Sequence, residues 1–131
     1  MSVQYSTTHR TNAMTQLNTD IGVSAQIIIY TGAIPANVGT APSGTLLVQF
    51  AGNATAFGSV ASGVLTAGTV ANANASATGT AGYFRINTSG GVAVAQGTCG
   101  LSGADMILTN LSITSGQTCS FTSLTVTAAG A

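Results

Sequence analysis

Ala81-Gly-Tyr-Phe-Arg-Ile-Asn87, followed by Ser89-Gly-Gly91 and then Val92-Ala-Val-Ala-Gln96, is the stretch on which the fold turns. Its first part is dense in aromatic and β-branched residues, the middle is a glycine turn, and the last part alternates small and branched apolar side chains. That order predicts a strand over 81–87, a turn, and an antiparallel partner over 92–96. Arg85 interrupts the apolar run between Phe84 and Ile86, and is expected either to pair with Asp105 or to reach an outside partner.

The same reading extends in both directions. Gln26–Tyr30 and Thr45–Phe50 read as strands separated by a loop over 32–44 that holds Pro35 and Pro42. Ala54–Val60 and Val64–Thr69 read as a hairpin with Ser62-Gly63 as its turn. Asn72–Thr80 is a run of small polar residues, an exposed loop or an edge strand. Met106–Leu108 and Gln117–Thr127 complete the set. In the last segment Cys119 and Phe121 share one parity and Leu124 and Val126 the other. A bulge near Thr122-Ser123 is therefore expected, of the kind that lets a strand bend or pass between sheets.

The one helix expected is 6–21, where Arg10, Met14, Leu17 and Ile21 fall on one face, Ser6 or Thr7 caps the start and Gly22 suits the stop. The resulting expectation is an all-β chain: an antiparallel β-sandwich, jelly-roll-like, of about eight strands. A helical arm over 1–22 precedes the sandwich domain over 23–131. Phe57, Tyr83, Ile86, Phe121 and Leu124, large apolar side chains on the clearest strands, are expected in a core between two sheets.

Composition narrows the function. Of 131 residues 45% are apolar and only 3% charged, namely Arg10, Arg85, Asp20 and Asp105, with a formal net charge of zero. An ordinary soluble domain carries about a quarter charged residues. Without charge repulsion a free monomer loses its protection against association, so a subunit of something larger is expected. Two arginines do not neutralise the phosphates of a nucleic-acid site. No window approaches a membrane span, and Met1-Ser-Val-Gln-Tyr5 lacks the pattern of a secretory signal. The chain is therefore expected to be soluble and made inside the cell, without nucleic-acid or membrane partners.

Catalytic equipment is not expected either. Asp20 and Asp105 are the only two acids, one closing the helix and one in a turn, where it would bond its own backbone. His9 is the sole histidine, placed beside Arg10 near the helix start, and reads as an exposed or packing residue rather than a base. Cys99 and Cys119 sit where a strand wants a small apolar side chain and read as buried free thiols first, a disulfide second and reactive thiols last, since nothing cationic lies nearby in sequence. Two cysteines make neither a disulfide framework nor a zinc site, and Thr98-Cys-Gly-Leu-Ser-Gly103 lacks the lysine of a phosphate loop. No cofactor or metal is expected. The sequons at Asn53, Asn74, Asn87 and Asn110 read as chance matches in a Ser/Thr-rich chain.

Residues along most of the chain carry a resemblance. Arg10, Asn12-Ala13, Leu17 and Ile21-Gly22 lead into Ile29-Tyr-Thr-Gly32, Pro35, Gly44-Thr-Leu-Leu47 and Gly79-Thr-Ala-Gly-Tyr-Phe-Arg85. The C-terminal part runs Gly103-Ala-Asp105, Leu108-Thr-Asn110, Ile113, Gly116-Gln117 and Phe121-Thr-Ser-Leu124. Together these resemble small virion proteins of tailed bacteriophages, and among them the jelly-roll capsid decoration, or cement, proteins. Cys99 and Cys119, where plain aliphatic residues would fit, and the scarcity of charge depart from that pattern.

The resemblance implies a structural protein on the outer surface of the capsid, made in the host cytoplasm. It implies binding to the major capsid protein and bridging of its subunits as a homo-oligomer, dimer or trimer. Tyr5, His9, Arg10, Met14, Leu17 and Arg85 are the contact residues expected. The alternative is a tail- or fibre-associated module that binds a receptor or glycan. That function needs exposed aromatics or carboxylates, and the chain holds only three Tyr and four Phe.

Overall fold

The computed structural model describes residues 3–51, 58–68 and 70–130. Among the described residues one helix, α1 (Thr7–Ile21), is followed by strands. Ser6 caps α1 by accepting the His9 backbone N–H on its hydroxyl at 3.1 Å, and Gly22, at φ 72°, ends it. The expected face is the buried one. Met14 and Leu17 pack against the core, and Ile21 lies fully inside it.

Strands β1 (Gln26–Thr31), β2 (Leu46–Ala51), β3 (Gly58–Ala61), β4 (Val64–Ala67), β6 (Gly79–Asn87) and β7 (Ala93–Gly100) correspond to the main runs read from the sequence. Residues 54–57 and 69 of the expected hairpin, Phe57 included, lie outside the described residues. The hairpin turn is as expected. Ser62 and Gly63 both take positive φ, 51° and 76°, the backbone that matches the twist of a two-residue connection. Short strands β5 (Ala73–Asn74), β8 (Met106–Ile107), β9 (Ser112–Ile113), β10 (Thr118–Cys119) and β11 (Ser123–Thr127) complete the chain.

The main sheet runs β2-β1-β6-β7-β8-β11-β4-β3, with β9 on the end of β6, while β10 and β5 form a separate pair. The sheet curls so that Ile27, Ile29, Phe50, Phe84 and Ile86 from one half share a core with Leu65, Met106 and Leu124 from the other. This is the all-β, sandwich-like class expected. Its pairs are antiparallel except β7 with β8. The expected segment over 117–127 is divided rather than merely bulged. Thr118–Cys119 pairs with β5, and Ser123–Thr127 pairs with β8 and β4 in the main sheet. The parity conflict between Cys119 and Leu124 is resolved by that change of sheet.

Of segment 1–22, expected as an arm, the described residues 3–22 are folded back onto the sandwich through α1. Asn18 Nδ2 donates to the Gly58 carbonyl at 3.2 Å, and the Gly63 N–H donates to Thr11 Oγ1 at 3.0 Å. The helix is thereby tied to both ends of the β3–β4 hairpin. A Cβ on Gly63 would stand 2.9 Å from that of Arg10, so the bare turn is what lets the helix approach.

The core expectation holds for Ile86 and Leu124. Phe121 is half-buried, its ring edge-on to Phe50 at 5.2 Å between centroids. Tyr83 is fully buried, but on the other side of the sheet. A register shift at Tyr30/Thr31 leaves Gly82 as an extra residue in β6. Ala81 therefore faces the core, Tyr83 the opposite face, and Phe84 the core again. Tyr83, Ile28 and Tyr30 form a second apolar cluster with Leu46.

Candidate functional site

Two surfaces gather the residues singled out from the sequence. At the start of the chain, Val3 is 68% exposed and Tyr5 48%. The Tyr5 N–H donates to the Gly130 carbonyl at 2.6 Å, and the Tyr5 carbonyl accepts from Arg10 Nε at 3.3 Å. Arg10 Nη2 also donates to Thr7 Oγ1 at 3.1 Å. The Tyr5 ring lies against Gly130 and against the exposed His9 ring, 4.8 Å between centroids. Arg10 thus acts on its own segment, and Met14 and Leu17 are turned inward. Of the expected contact residues, Tyr5 and His9 remain as outward-facing groups.

Arg85 is elsewhere, and the structure corrects its expected pairing with Asp105. Its side chain is only 3% exposed and presents no surface to a partner in this conformation. It does not pair with Asp105. At Gly97, which stands opposite Phe84 in the ladder, the side-chain direction leads to both the Phe84 ring and Asp105 Oδ2, which places the Asp105 carboxylate on the core side. Strand alternation sends Arg85 to the other side with Tyr83. The Asp105 carboxylate accepts the Thr98 backbone N–H of β7 at 3.2 Å, rather than closing its own turn. Asp20 Oδ1 accepts from Gln16 Nε2 one helical turn back, at 3.0 Å.

The Arg85 side of the sheet is covered by the Pro-containing segment 32–45, here called the strap. Polar tethers hold the strap to the sheet. Arg85 Nη2 donates to the Thr40 carbonyl, Tyr83 Oη to the Ser43 carbonyl at 2.9 Å, and Gln96 Nε2 to the Pro35 carbonyl at 2.9 Å. Arg85 Nε donates to Gln96 Oε1 at 3.1 Å, so one guanidinium organises the tethers to both Thr40 and Pro35. The Tyr30 and Tyr83 rings stack beneath the strap at 5.2 Å. Burial raises the Tyr30 phenol above its ordinary range, the neighbouring Tyr83 adds to this, and the Arg85 charge opposes it. At the end of the same face Asn87 is buried, and its Oδ1 has no hydrogen-bond partner among the described residues.

Sequence reasoning marked Arg85 as anomalous but missed Gln96, Thr40, Ser43 and Asn87. The parity of Arg85 with Tyr83 and Asn87 was the available signal. It becomes legible only once the extra residue at Gly82 is known to change the face.

The thiols are free, Cys119 buried and Cys99 half-buried. Burial, with the Asp105 carboxylate adding to it, pushes Cys99 up to about 12. Burial also raises Cys119, opposed by a hydrogen bond with the Ala75 backbone. Both environments favour the unreactive protonated form. Among the described residues no three His, Cys, Asp or Glu side chains converge. A groove of about 440 Å³ is lined by Thr66, Ala67, Val70, Phe121 and Leu124 among others, without an ionisable side chain. Among the described residues no helix is long and apolar enough to cross a membrane. No protein family, no curated protein and no solved structure matches this chain.

Proposed function

We propose that the chain is a structural protein of a tailed-phage virion, a decoration protein on the outer face of the capsid. It works by close packing as a homo-oligomer and without catalysis. The observation that carries this reading is the N-terminal surface. Val3 and Tyr5 are exposed there, yet Tyr5 is held in place by the Gly130 carbonyl and the Arg10 guanidinium. A positioned apolar and aromatic edge on a chain with four charged side chains suits flat contact with protein. The resemblance to phage cement proteins supplies the partner, the major capsid protein. A symmetric lattice would multiply weak contacts, because a copy held at one site meets its next site at high effective concentration. The glycan-binding alternative has less to build on, since Tyr5 is the only exposed Phe or Tyr among the described residues.

Binding of this kind depends little on ion pairs. Purified protein mixed with decoration-free heads should bind stoichiometrically, in register with the capsid symmetry. It should bind equally at low salt and at about 1 M NaCl, where the screening length falls to about 3 Å. Tyr5→Ala should weaken that binding while leaving the fold intact. Absence of binding to heads, with binding to tails or host cells instead, would overturn the proposal and favour the receptor-binding module.

A further inference from the structure

The strapped face carries two unanswered groups. Arg85 carries a guanidinium into the interior, and a buried charged group is ordinarily paired with an opposite charge. Its hydrogen-bond partners here, the Thr40 carbonyl and Gln96 Oε1, are neutral oxygens. Asp20 is engaged on the helix and Asp105 is turned to the core side. Two residues along the same strand, Asn87 Oδ1 is buried without a donor. The register with β1 is unbroken between Ile28↔Arg85 and Gln26↔Asn87, so the two groups share one face, separated by about 7 Å of strand. The cover over this side contributes little burial of its own. Apart from a half-buried Pro35 and Val38, residues 33–44 are exposed, and they are held by the polar tethers described above.

We infer that the strap is a displaceable cover, and that Arg85 beneath it, with Asn87 farther along the same strand face, forms a docking site for an extended acidic segment of a partner protein. A carboxylate of that segment would replace the Thr40 carbonyl on Arg85, exchanging a neutral acceptor for a charge-assisted and bidentate one. A backbone N–H of the segment would supply the donor that Asn87 Oδ1 lacks. The released strap carbonyls of Pro35, Thr40 and Ser43 would turn to water. The Tyr30–Tyr83 stack would form the apolar floor. The site rests on the geometry of this face and is independent of whether the partner is a capsid.

The test uses the full chain, isotopically labelled, and N-acetyl-aspartate N-methylamide as the probe, with the asparagine analogue as the uncharged control. The aspartate compound should give saturable shifts of the Arg85 Nε–H, the Asn87 side chain and the Thr40 and Ser43 amides in NMR spectra, and the asparagine compound should not. R85Q should abolish the response. Y83F, which removes the Ser43 tether, should tighten binding by about fivefold, because one hydrogen bond of ordinary strength less holds the strap closed. That gain separates a cover from a fixed structural element even if R85Q folds poorly. No response to the aspartate compound, an equal response to both compounds, or unchanged affinity in Y83F would overturn the inference.

Discussion

Gly82→Ala tests the feature that sorts side chains between the two faces of the central sheet. A Cβ at position 82 would fall well inside contact distance of the Gly32 carbonyl oxygen, and close to the backbone N and C of the same residue. All of these are main-chain atoms, so no side chain can swing aside. Relief requires the end of β1 to move away from β6, where Tyr30↔Tyr83 and Thr31↔Ala81 are paired around the extra residue. Overpacking of this kind costs about 1–3 kcal/mol. The loss of one or two ladder hydrogen bonds adds about 1 kcal/mol each. The stiffer unfolded chain returns about 0.4–1 kcal/mol. A net loss of about 2–4 kcal/mol is expected, a large part of the 5–15 kcal/mol typical of a domain.

The matched control is Gly90→Ala, where the nearest atom to a new Cβ is Thr88 Oγ1 at 3.8 Å. That variant should stay within about 0.5 kcal/mol of the parent. Urea unfolding followed by far-UV circular dichroism would read both as shifts in midpoint at constant slope. If Gly82→Ala melts together with Gly90→Ala and the parent, the close approach of β6 to Gly32 is not a constraint. The account of why Ala81 and Tyr83 face opposite sides would then fail.

Three further outcomes are expected. Ser6→Ala removes the acceptor for the His9 N–H and should destabilise by about 1 kcal/mol, with Ser6→Asp retaining parent stability; equal urea midpoints for all three would mean the cap contributes nothing. Cys99, raised to about 12, should react with iodoacetamide near pH 8 about a thousandfold more slowly in the folded than in the urea-unfolded chain, as followed by mass spectrometry. The fold favours its neutral form, so this contribution to stability is complete below the unfolded thiol's range near 8.5–9 and is lost as the pH rises through about 12. Cys99→Val should flatten that alkaline decline, and an equally steep decline in the variant would assign it to another group.

Local pattern alone was enough for much of this protein. The Ser6 cap, the Met14–Leu17–Ile21 face and the Gly22 stop are readable because a helix repeats within a few residues and its ends depend on nearby side chains. The Ser62-Gly63 turn is readable because two positive φ values in succession demand such residues. The scarcity of charge was equally plain. What the pattern could not decide is which face a strand residue meets when its register depends on a distant neighbour. Gly82 is an extra residue only relative to Tyr30 and Thr31, some fifty positions earlier. That single offset sends Tyr83 and Arg85 under the strap instead of into the core or out to solvent. Likewise, Cys119 and Leu124 were seen to conflict in parity, but only the pairing of their segments with β5 and with β8 and β4 decided that the chain changes sheets between them. A two-residue period fixes alternation within a strand, whereas its phase is set by long-range backbone pairing, and that exists only in the folded chain.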